Sequence, residues 1–423
     1  MIALILICLT VACTVLITLV VVNVSSVEQN IKYEICTAYG VKDPQFTNLM
    51  GQLLGPPLVD GNHVTGLLNG VEIFPAMLNA IRAAKKTICF ETYIYWSGSI
   101  GRETASALCE RATQGVKVHV LLDWLGCRQI DEELVTEMQQ AGIEVERYCP
   151  LRWYNLARMN HRTHRKLLIV DGQIGFTGGV GIADVWLGNA DSPEHWRDSH
   201  FRLVGPAVAQ MQAAFMDNWT KIKSLILHDE NYFPQIKPAG GAIAQVFKSS
   251  SREGSDSVRL MYLLSIAAAK ETILLANAYF VPDKLAVEAL VAAKKRGVRV
   301  QIIVPDKHMD MPLVRQASRS RWGPLLEADI EIFEFQKTMY HCKVLIVDRV
   351  WVSVGSTNFD NRSFRLNDEA NLNVFDADFA RRETENFAND RARSKRITLQ
   401  AWKQRPLREK ATELLAGFLR SQL

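Results

Sequence analysis

HRKLLIVDGQIGFTGG at residues 164–179 and HCKVLIVDRVWVSVGS at residues 341–356 decide the fold of this sequence. In each stretch a His-x-Lys pair opens an apolar run that leads through an aspartate to a glycine-bearing turn. Short runs rich in Val, Ile and Leu are typical of strands that are buried on both faces. Because the whole pattern occurs twice, we expect a chain built from two copies of one unit.

The duplication extends outward from these two stretches. Three further pairs of blocks match in the same order, so that four blocks recur at offsets of 177 to 187 residues: IRAAKKTICFETYIY (81–95) with IAAAKETILLANAYF (266–280), GVKVHVLLD (115–123) with GVRVQIIVPD (297–306), and AGIEVERY (141–148) with ADIEIFEF (328–335). Within each copy, strand-like runs alternate with Ala-, Leu- and Lys-rich helical stretches. This alternation predicts an α/β fold of two halves, each a mostly parallel sheet flanked by helices, that together form a pseudo-dimer.

Composition bounds the class of protein. With 48% hydrophobic and 22% charged residues, the chain has the makeup of a packed globular protein, which excludes disordered and fibrous classes. The net charge of +4 is too small to indicate wrapping of nucleic acid. We divide the 423 residues into an anchor (1–25), a first half (56–235), a second half (242–380) and a basic C-terminal helical segment (381–423).

The N-terminal segment predicts one transmembrane helix. Residues 2–22 carry no charged side chain, and as a helix they would span roughly 30 Å, the thickness of a bilayer core. A retained anchor is favoured over a cleaved signal peptide, because the basic start and shorter apolar stretch of a signal peptide are absent. Eight cysteines without a CxxC pair argue against a structural zinc and for reduced thiols. We therefore expect a protein of the inner cell membrane, with a weak preference for a cytosolic catalytic part.

The two His-Lys pairs carry the chemistry. Side chains two residues apart on a strand point to the same face, so His164 with Lys166, and His341 with Lys343, each address one point in space. Two imidazoles at a shared interface supply a nucleophile and a general acid, and two ammonium groups neutralise an anion between them. A phosphodiester fits this arrangement, and no metal is required.

With these two motifs the sequence resembles the phospholipase D superfamily, whose signature is the duplicated HKD motif, and within it the bacterial cardiolipin synthases. The closer resemblance covers roughly residues 55–423 and depends on five segments: GNHVTGLLNGVEIFPAMLNAI (61–81), FETYIYWSG (90–98), WRDSHFRLVGPAV (196–208), GSTNFDNRSFRLNDEANL (355–372) and ITLQAWKQRPL (397–407).

The resemblance implies a role for each site residue, with no cofactor. One histidine forms a covalent phosphohistidine and the other protonates the departing alcohol; we assign His164 as nucleophile and His341 as acid. Glu369 and Asp198 are assigned as the carboxylates that orient the imidazoles. The groups expected to hold phosphoryl oxygens are Lys166, Lys343, Asn358, Gly178, Gly179 and Ser356.

The aspartates that complete the catalytic motif, Asp171 and Asp348, need a separate interpretation. Each falls where a strand ends in a turn, so we expect a structural role in which the side chain accepts bonds from nearby backbone amides. The first motif also departs from the family pattern, because Gly181 stands where the second motif has Asn358. Backbone amides of the glycine-rich turn are expected to replace that missing donor.

Several segments suggest lipid contacts. RWYNLARMNHR (152–162) and VWLGNADSPEHW (185–196) have no counterpart in the second half and suit a lipid phosphate with acyl chains, although ordinary anchoring of the loops by Trp153 and Trp186 is the alternative. Asp310, Arg315 and Arg319 are headgroup candidates by resemblance. Residues 381–420 carry eleven Arg or Lys against five Asp or Glu. They predict either a basic amphipathic helix on an anionic membrane or a solvated helix whose apolar stripe packs on the body.

We therefore expect a membrane-anchored phosphatidyltransferase that passes a phosphatidyl group through a histidine to the headgroup hydroxyl of phosphatidylglycerol. Its partners would be phospholipids and the membrane, without nucleic acid. The alternatives are a phospholipase D that admits water, a nuclease of the same superfamily, which would show a more basic groove, and an inactive scaffold, which would tolerate loss of one His-Lys pair.

Overall fold

The computed structural model describes residues 5–7, 10, 11, 13, 14, 18, 39–150, 160–250 and 257–418. The predicted membrane helix over residues 2–22 lies mostly outside these residues. In the part of the chain that is described, no helix is both long and apolar enough to cross a bilayer.

Up to residue 223 the elements follow the predicted alternation of helices and strands. They are α1 (Pro44–Leu54), β1 (Val59–Leu68), α2 (Asn69–Ala83), β2 (Thr87–Thr92), α3 (Ser99–Thr113), β3 (Lys117–Asp123), α4 (Glu132–Gln140), β4 (Glu144–Tyr148), β5 (Arg162–Thr163), β6 (Leu167–Val170), β7 (Ile174–Gly178), a 3-10 turn (Asp184–Trp186), β8 (Ser199–Val204) and α5 (Val208–Lys223).

The rest of the chain repeats much of this order. It contains β9 (Ala242–Ser249), α6 (Ser257–Ala268), β10 (Thr272–Asn277), α7 (Lys284–Lys295), β11 (Arg299–Pro305), α8 (Pro312–Arg319), α9 (Trp322–Glu327), β12 (Glu331–Phe335), β13 (Lys343–Val347), β14 (Trp351–Gly355), α10 (Asn361–Arg365), β15 (Asn367–Phe375), α11 (Ala377–Ala392), β16 (Ser394–Ile397), α12 (Leu399–Lys403) and α13 (Leu407–Phe418). The C-terminal segment is therefore not wholly helical, because β16 adds to the sheet beside β12.

The strands form one sheet in which the order of equivalent strands is the same on both sides of the centre. Its order is β16-β12-β11-β10-β13-β14-β15-β9-β1-β8-β7-β6-β2-β3-β4, and β9 pairs with β1 at the middle. The seven strands from β1 to β4 correspond, one by one, to the seven from β9 to β12, and β16 is added beyond β12. The repeat seen in the amino-acid sequence is thus a pseudo-twofold repeat in three dimensions.

The sheet is mixed, so the expectation of a mostly parallel sheet in each half is wrong. Among the described strands, parallel pairing is confined to β2-β3-β4, β10-β11-β12 and the two-residue contact of β5 with β15. The reason is that the two motif stretches fold as hairpins, β6-β7 and β13-β14, which pair antiparallel. Each hairpin turn opens with two residues at positive φ, Asp171 and Gly172 in one and Asp348 and Arg349 in the other.

The core has one layer that belongs to both halves. A buried cluster joins strand residues of the two halves, such as Ile169 and Ile346, to α5 and α11, which lie on the same side of the sheet. Separate clusters fill the outer side of each half. Because both halves close over one continuous layer, the two motif strands are held in a fixed relation to each other.

Candidate active site

The backbone places each motif histidine against the other half of the molecule. The amide of His164 donates to the carbonyl of Asp368 at 2.8 Å, and the amide of His341 donates to the carbonyl of Arg197 at 2.7 Å. These two bonds are equivalent under the internal repeat. They attach the start of the first motif to the beginning of β15 and the start of the second motif to the residues just before β8.

The orienting carboxylates are exchanged between the halves in the same way. Nδ1 of His164 lies 3.0 Å from both carboxylate oxygens of Glu369, and Nδ1 of His341 lies 2.7 Å from Oδ2 of Asp198. A carboxylate at Nδ1 favours the tautomer that carries its proton there, which leaves the lone pair on Nε2. Each motif histidine thus takes its orienting carboxylate from the opposite half.

Burial controls the protonation of these groups. Burial lowers the pKa of His164 to about 4, although the charge of Glu369 opposes the shift. Burial and the positive charge of the neighbouring Lys343 both lower the pKa of His341. Burial alone would raise the pKa values of Asp198 and Glu369, but the charges and hydrogen bonds of their histidines bring both below the ordinary values. The site therefore holds ionised carboxylates beside imidazoles that are neutral before an anion binds.

The two lysines lie beside their histidines as the spacing predicted. Nζ of Lys166 donates to the carbonyl of His164 at 2.8 Å, and Nζ of Lys343 donates to the carbonyl of His341 at 2.6 Å. Nζ of Lys343 also lies 3.2 Å from Nε2 of His341. Burial lowers the pKa of Lys166 to about 7 and also lowers that of Lys343. A bound phosphodiester would raise the pKa of both lysines, because an anion beside an amine favours its protonated form.

Gly178, Gly179 and Ser356, which were expected to hold phosphoryl oxygens, are not among the residues that line the cavity. The amides of Gly179 and Ser356 donate to the carbonyls of Ser199 and Ala370, and the two turns contact the carboxylates. Oγ of Ser356 donates to Glu369 at 2.5 Å. A Cβ at the equivalent Gly179 would lie 2.2 Å from Oδ1 of Asp198, and one at Gly178 would lie 2.6 Å from a backbone carbonyl, so both positions require glycine. Oδ2 of Asp198 instead accepts from Nε1 of Trp186 at 3.0 Å.

Asn358 and Gly181 occupy equivalent positions with different surroundings. Asn358 lines the pocket, and its buried Oδ1 has no hydrogen-bond partner. A Cβ at Gly181 would lie 2.9 Å from Cβ of Ile94, so an asparagine would not fit there without a shift. At this pair of equivalent positions, therefore, the second half offers a side-chain amide to the cavity and the first half does not.

The motif aspartates lie in the hairpin turns and not among the residues that line the pocket. Asp171 accepts from the backbone amides of Lys85, Lys86 and Thr87 at 2.7–3.2 Å, and Asp348 accepts from those of Lys270, Glu271 and Thr272 at 2.8–2.9 Å. Both stand at positive φ, which aspartate tolerates better than most residues. Asp171 and Asp348 therefore bind the turns that precede β2 and β10, which agrees with the structural role expected for them, and although they belong to the motif they are not among the residues that line the cavity.

One cavity of about 410 Å³ brings the two motifs together. Among the predicted site residues it is lined by His164, Lys166, His341, Asn358 and Asp310. The other lining residues are aromatic, polar and apolar, and comprise Tyr93, Ile94, Leu125, Asn160, Arg162, Trp186, Trp196, Tyr279, Met311, Val314, Asp360, Arg362 and Asn367. A cavity of this kind can hold a phosphodiester between the imidazoles and still contact the groups esterified to it.

Sequence reasoning missed several of these residues. Tyr93 follows β2 directly, and Tyr279 follows β10 after one residue. Their ring centroids lie 5.1 Å from His164 and 6.4 Å from His341, respectively. Their signal was visible, since FETYIY and ANAYF end one pair of matching blocks. Asp360 had no such signal; burial raises its pKa to about 7, and its side chain also caps α10 through the amide of Ser363.

The predicted lipid loops are described only in part. Residues 151–159 lie outside the described residues, while Asn160 and Arg162 line the cavity. Trp186 is buried against His341, with ring centroids 5.5 Å apart, and so both anchors its loop and forms the wall of the site.

Two headgroup candidates lie elsewhere. Arg319 does not line the cavity, because its guanidinium bonds to Glu413 at 3.0 Å, Glu409 at 3.2 Å and Glu334 at 3.4 Å. Arg315 likewise bonds to Glu334 at 2.6 Å. These arginines lie on α8 and connect it to β12 and α13, so we do not retain them as substrate-binding residues.

Comparison with known structures supports the architecture. A phosphatidylserine synthase of Haemophilus influenzae aligns with a TM-score of 0.68 over 89% of this chain and 100% of that one, at 15% identity. A polyphosphate kinase of Porphyromonas gingivalis aligns with a TM-score of 0.53 over 85% of this chain and 53% of that one, also at 15% identity. At these identities the likeness concerns the fold alone.

Sequence comparison is more specific. A cardiolipin synthase of Oceanobacillus iheyensis is 35% identical over 347 residues, which is 80% of this chain and 72% of that protein. The major cardiolipin synthase ClsA of Bacillus subtilis is 34% identical over 368 residues, or 85% of this chain and 76% of that protein. The model of the cardiolipin synthase, PLD-like domain matches residues 77–187 and 262–391, which include both histidine motifs. The chain therefore belongs to the family of cardiolipin synthases with phospholipase D-like domains.

Proposed function

We propose that the protein joins two molecules of phosphatidylglycerol into cardiolipin by phosphatidyl transfer through His164. The observation that carries this proposal is the exchange of carboxylates: two histidines, each oriented from the opposite half, line one cavity with lysines beside them. The chain's membership of the family and the names of its relatives support the choice of substrate.

In the first step, Nε2 of His164 attacks the phosphorus of the donor phosphatidylglycerol while the bond from phosphorus to the oxygen of the headgroup glycerol breaks. His341, charged when the anion is bound, gives its proton to that oxygen, and glycerol leaves. Lys166, Lys343 and Asn358 stabilise the non-bridging oxygens. Glu369 stabilises the positive charge that develops on His164 as the bond to phosphorus forms.

In the second step, the headgroup hydroxyl of another phosphatidylglycerol gives its proton to His341 and its oxygen bonds to the phosphorus. The bond from phosphorus to His164 breaks, and cardiolipin is released. One phosphodiester replaces another, so no nucleotide is needed. The aromatic residues near His341 exclude water that would otherwise release phosphatidic acid.

The alcohol side of the site offers hydrogen-bond acceptors. Tyr279 donates to Oδ2 of Asp310 at 2.6 Å, and both line the cavity with His341. Since His341 protonates the leaving oxygen, the glycerol lies on this side in both steps. We assign the pair Tyr279 and Asp310 to the free hydroxyl groups of the departing glycerol and of the incoming headgroup, which retains Asp310 as a substrate-binding residue.

Because both substrates are membrane lipids, we infer that the protein works at a membrane, with residues 1–25 as its predicted anchor. Purified protein given vesicles of phosphatidylglycerol should yield cardiolipin in excess over phosphatidic acid, measured by mass spectrometry. A hydroxyl bound beside the phosphohistidine has a large effective concentration relative to stray water. Phosphatidic acid as the sole product would indicate a phospholipase, and cleavage of single-stranded DNA with lipids untouched would indicate a nuclease.

A further inference from the structure

The C-terminal helix α13 packs with its charged side toward the protein. Glu413 is 1% exposed, and its carboxylate accepts from Nε of Arg319 at 3.0 Å and from Nε of Arg405 at 2.8 Å. Glu409 accepts from Arg319 on the same side at 3.2 Å. Buried carboxylates are tolerated only when they are paired, and these pairs hold α13 against α8.

The leucines of α13 point the other way. Leu407, Leu414 and Leu415 are 82%, 66% and 65% exposed. An ordinary surface helix turns its apolar stripe inward and its charges outward. Among the described side chains of α13, the one that joins the apolar core beside α8 is the small Ala416. Leu414 and Leu415 therefore do not pack on the body as the second of the two predicted alternatives would require.

Exposed apolar side chains also occur beside the cavity, on the helix against which α13 packs. Helix α13 packs on α8, and at the start of α8 Met311 and Leu313 are 44% and 42% exposed. Met311 also lines the catalytic cavity, as does Leu125, which is 39% exposed. Apolar side chains thus occur both on the helix and on the rim through which a lipid would enter.

The same segment carries positive charge toward solvent. Arg408 in the first turn of α13 is exposed, and Lys403 at the end of α12 is exposed and pairs with Glu327 at 3.1 Å. Glu413 is turned inward, and the half-exposed Glu409 pairs with Arg319. Leucines flanked by exposed basic residues match the interface of a bilayer that contains anionic lipid, where apolar side chains enter the acyl boundary and cations meet phosphates.

We propose that the outward face of α13, with Met311 and Leu313, docks on an anionic lipid surface and brings the mouth of the cavity to the membrane. The ion pairs of Arg319 with Glu409 and Glu413 hold the helix in this outward-facing orientation. This inference rests on the proposed function, since it assumes that the cavity takes lipids, and it adds where the protein meets the surface that supplies them.

The test uses the full chain carrying Leu414→Ser and Leu415→Ser, with Leu225→Ser and Ile226→Ser as a matched control. Leu225 and Ile226, which follow α5, are 47% and 61% exposed, so they are apolar surface residues away from the cavity. Cardiolipin formation is measured on phosphatidylglycerol vesicles and on a short-chain phosphatidylglycerol that is dissolved as monomers. The α13 variant should lose about tenfold or more of its activity on vesicles, since two leucines no longer enter the lipid.

The same variant should keep its activity on monomers within about twofold, because neither leucine lines the cavity. The control variant should match the unchanged protein on both substrates. Equal loss on vesicles and monomers, no loss on vesicles, or an equal loss in the control would overturn the docking face. Failure of the unchanged protein to form the short-chain bisphosphatidyl product would instead contradict the proposed function, whatever the variants do.

Discussion

The turn after β7 and the turn after β14 have equivalent positions, but they contact the carboxylates that orient the two histidines in different ways. In the second half Ser356 donates its hydroxyl to Glu369, whose longer side chain reaches His164. In the first half there is no space for a side chain at position 179, because the carboxylate of Asp198 lies directly against Gly179. The length of each carboxylate thus matches the space that its turn leaves, and the repeat conserves the histidine geometry while the residues around it differ.

The walls beside the two histidines differ as well. Trp186 and Trp196 have ring centroids 5.5 Å from His341, and Tyr279 lies further out on that side. On the other side Tyr93 is near His164. A symmetric backbone therefore holds two imidazoles in unlike environments, which suits one nucleophile and one proton carrier.

The largest effect is expected from the histidines. His164→Ala and His341→Ala should each lower cardiolipin formation about 10³-fold or more without unfolding the protein, since each removes one half of the nucleophile and acid pair. With a donor whose leaving group needs no proton, the His341→Ala protein should still accumulate a phosphohistidine, detectable by peptide mass spectrometry. The His164→Ala protein should not. A covalent phosphate on His341 in the unchanged protein would reverse the two roles.

The exchanged carboxylates should give the next largest effect. Glu369→Gln should slow formation of the phosphohistidine, and Asp198→Asn should slow loss of the leaving alcohol from ordinary lipids, each by about 10- to 100-fold. A donor with an activated leaving group should largely rescue Asp198→Asn and leave Glu369→Gln slow. Rescue of the opposite variant would show that the carboxylates serve the histidines of their own halves.

The pH dependence follows from the buried lysine. With a pKa of about 7, Lys166 of the free protein is charged below neutral pH and loses its charge as the pH rises. Since only the charged form attracts a phosphodiester, kcat/KM should fall above neutral pH by about tenfold per unit. It should hold down toward pH 4, where His164 becomes protonated. Lys166→Arg should remove the alkaline fall; an unchanged profile would assign it to another group.

The smallest effect is expected from exchanging the turns. Gly179→Ser should destabilise the fold by about 1–3 kcal/mol, because the new side chain meets Asp198, and should lower kcat/KM. Ser356→Gly removes one hydrogen bond to Glu369 and should lower kcat/KM only a few-fold. Thermal unfolding and initial rates give both quantities. Equal stability of the two variants would mean that the first turn has room that the structure does not show.

The sequence determined much of the fold. Strand periodicity, the repeated blocks and the His-x-Lys spacing predicted the α/β class, the duplication and the pairs His164–Lys166 and His341–Lys343, because these features are set by residues close together in the chain. The same reasoning failed for the direction of strand pairing. A buried strand has the same apolar pattern whether its neighbour is parallel or antiparallel, so the hairpins of the two motifs were not visible.

Only the tertiary structure decided which carboxylate serves which histidine. Glu369 is separated from His164 by 205 residues, and Asp198 from His341 by 143, so the pairing depends on how the halves share their central layer. Composition likewise showed that the C-terminal segment is basic and apolar, but not which side of α13 faces the protein. In the structure Arg319 and Arg405 pair with Glu413, and Arg319 also pairs with Glu409, while Leu414 and Leu415 face outward. Local sequence specifies local geometry, whereas partners that meet across the fold are chosen by packing and charge.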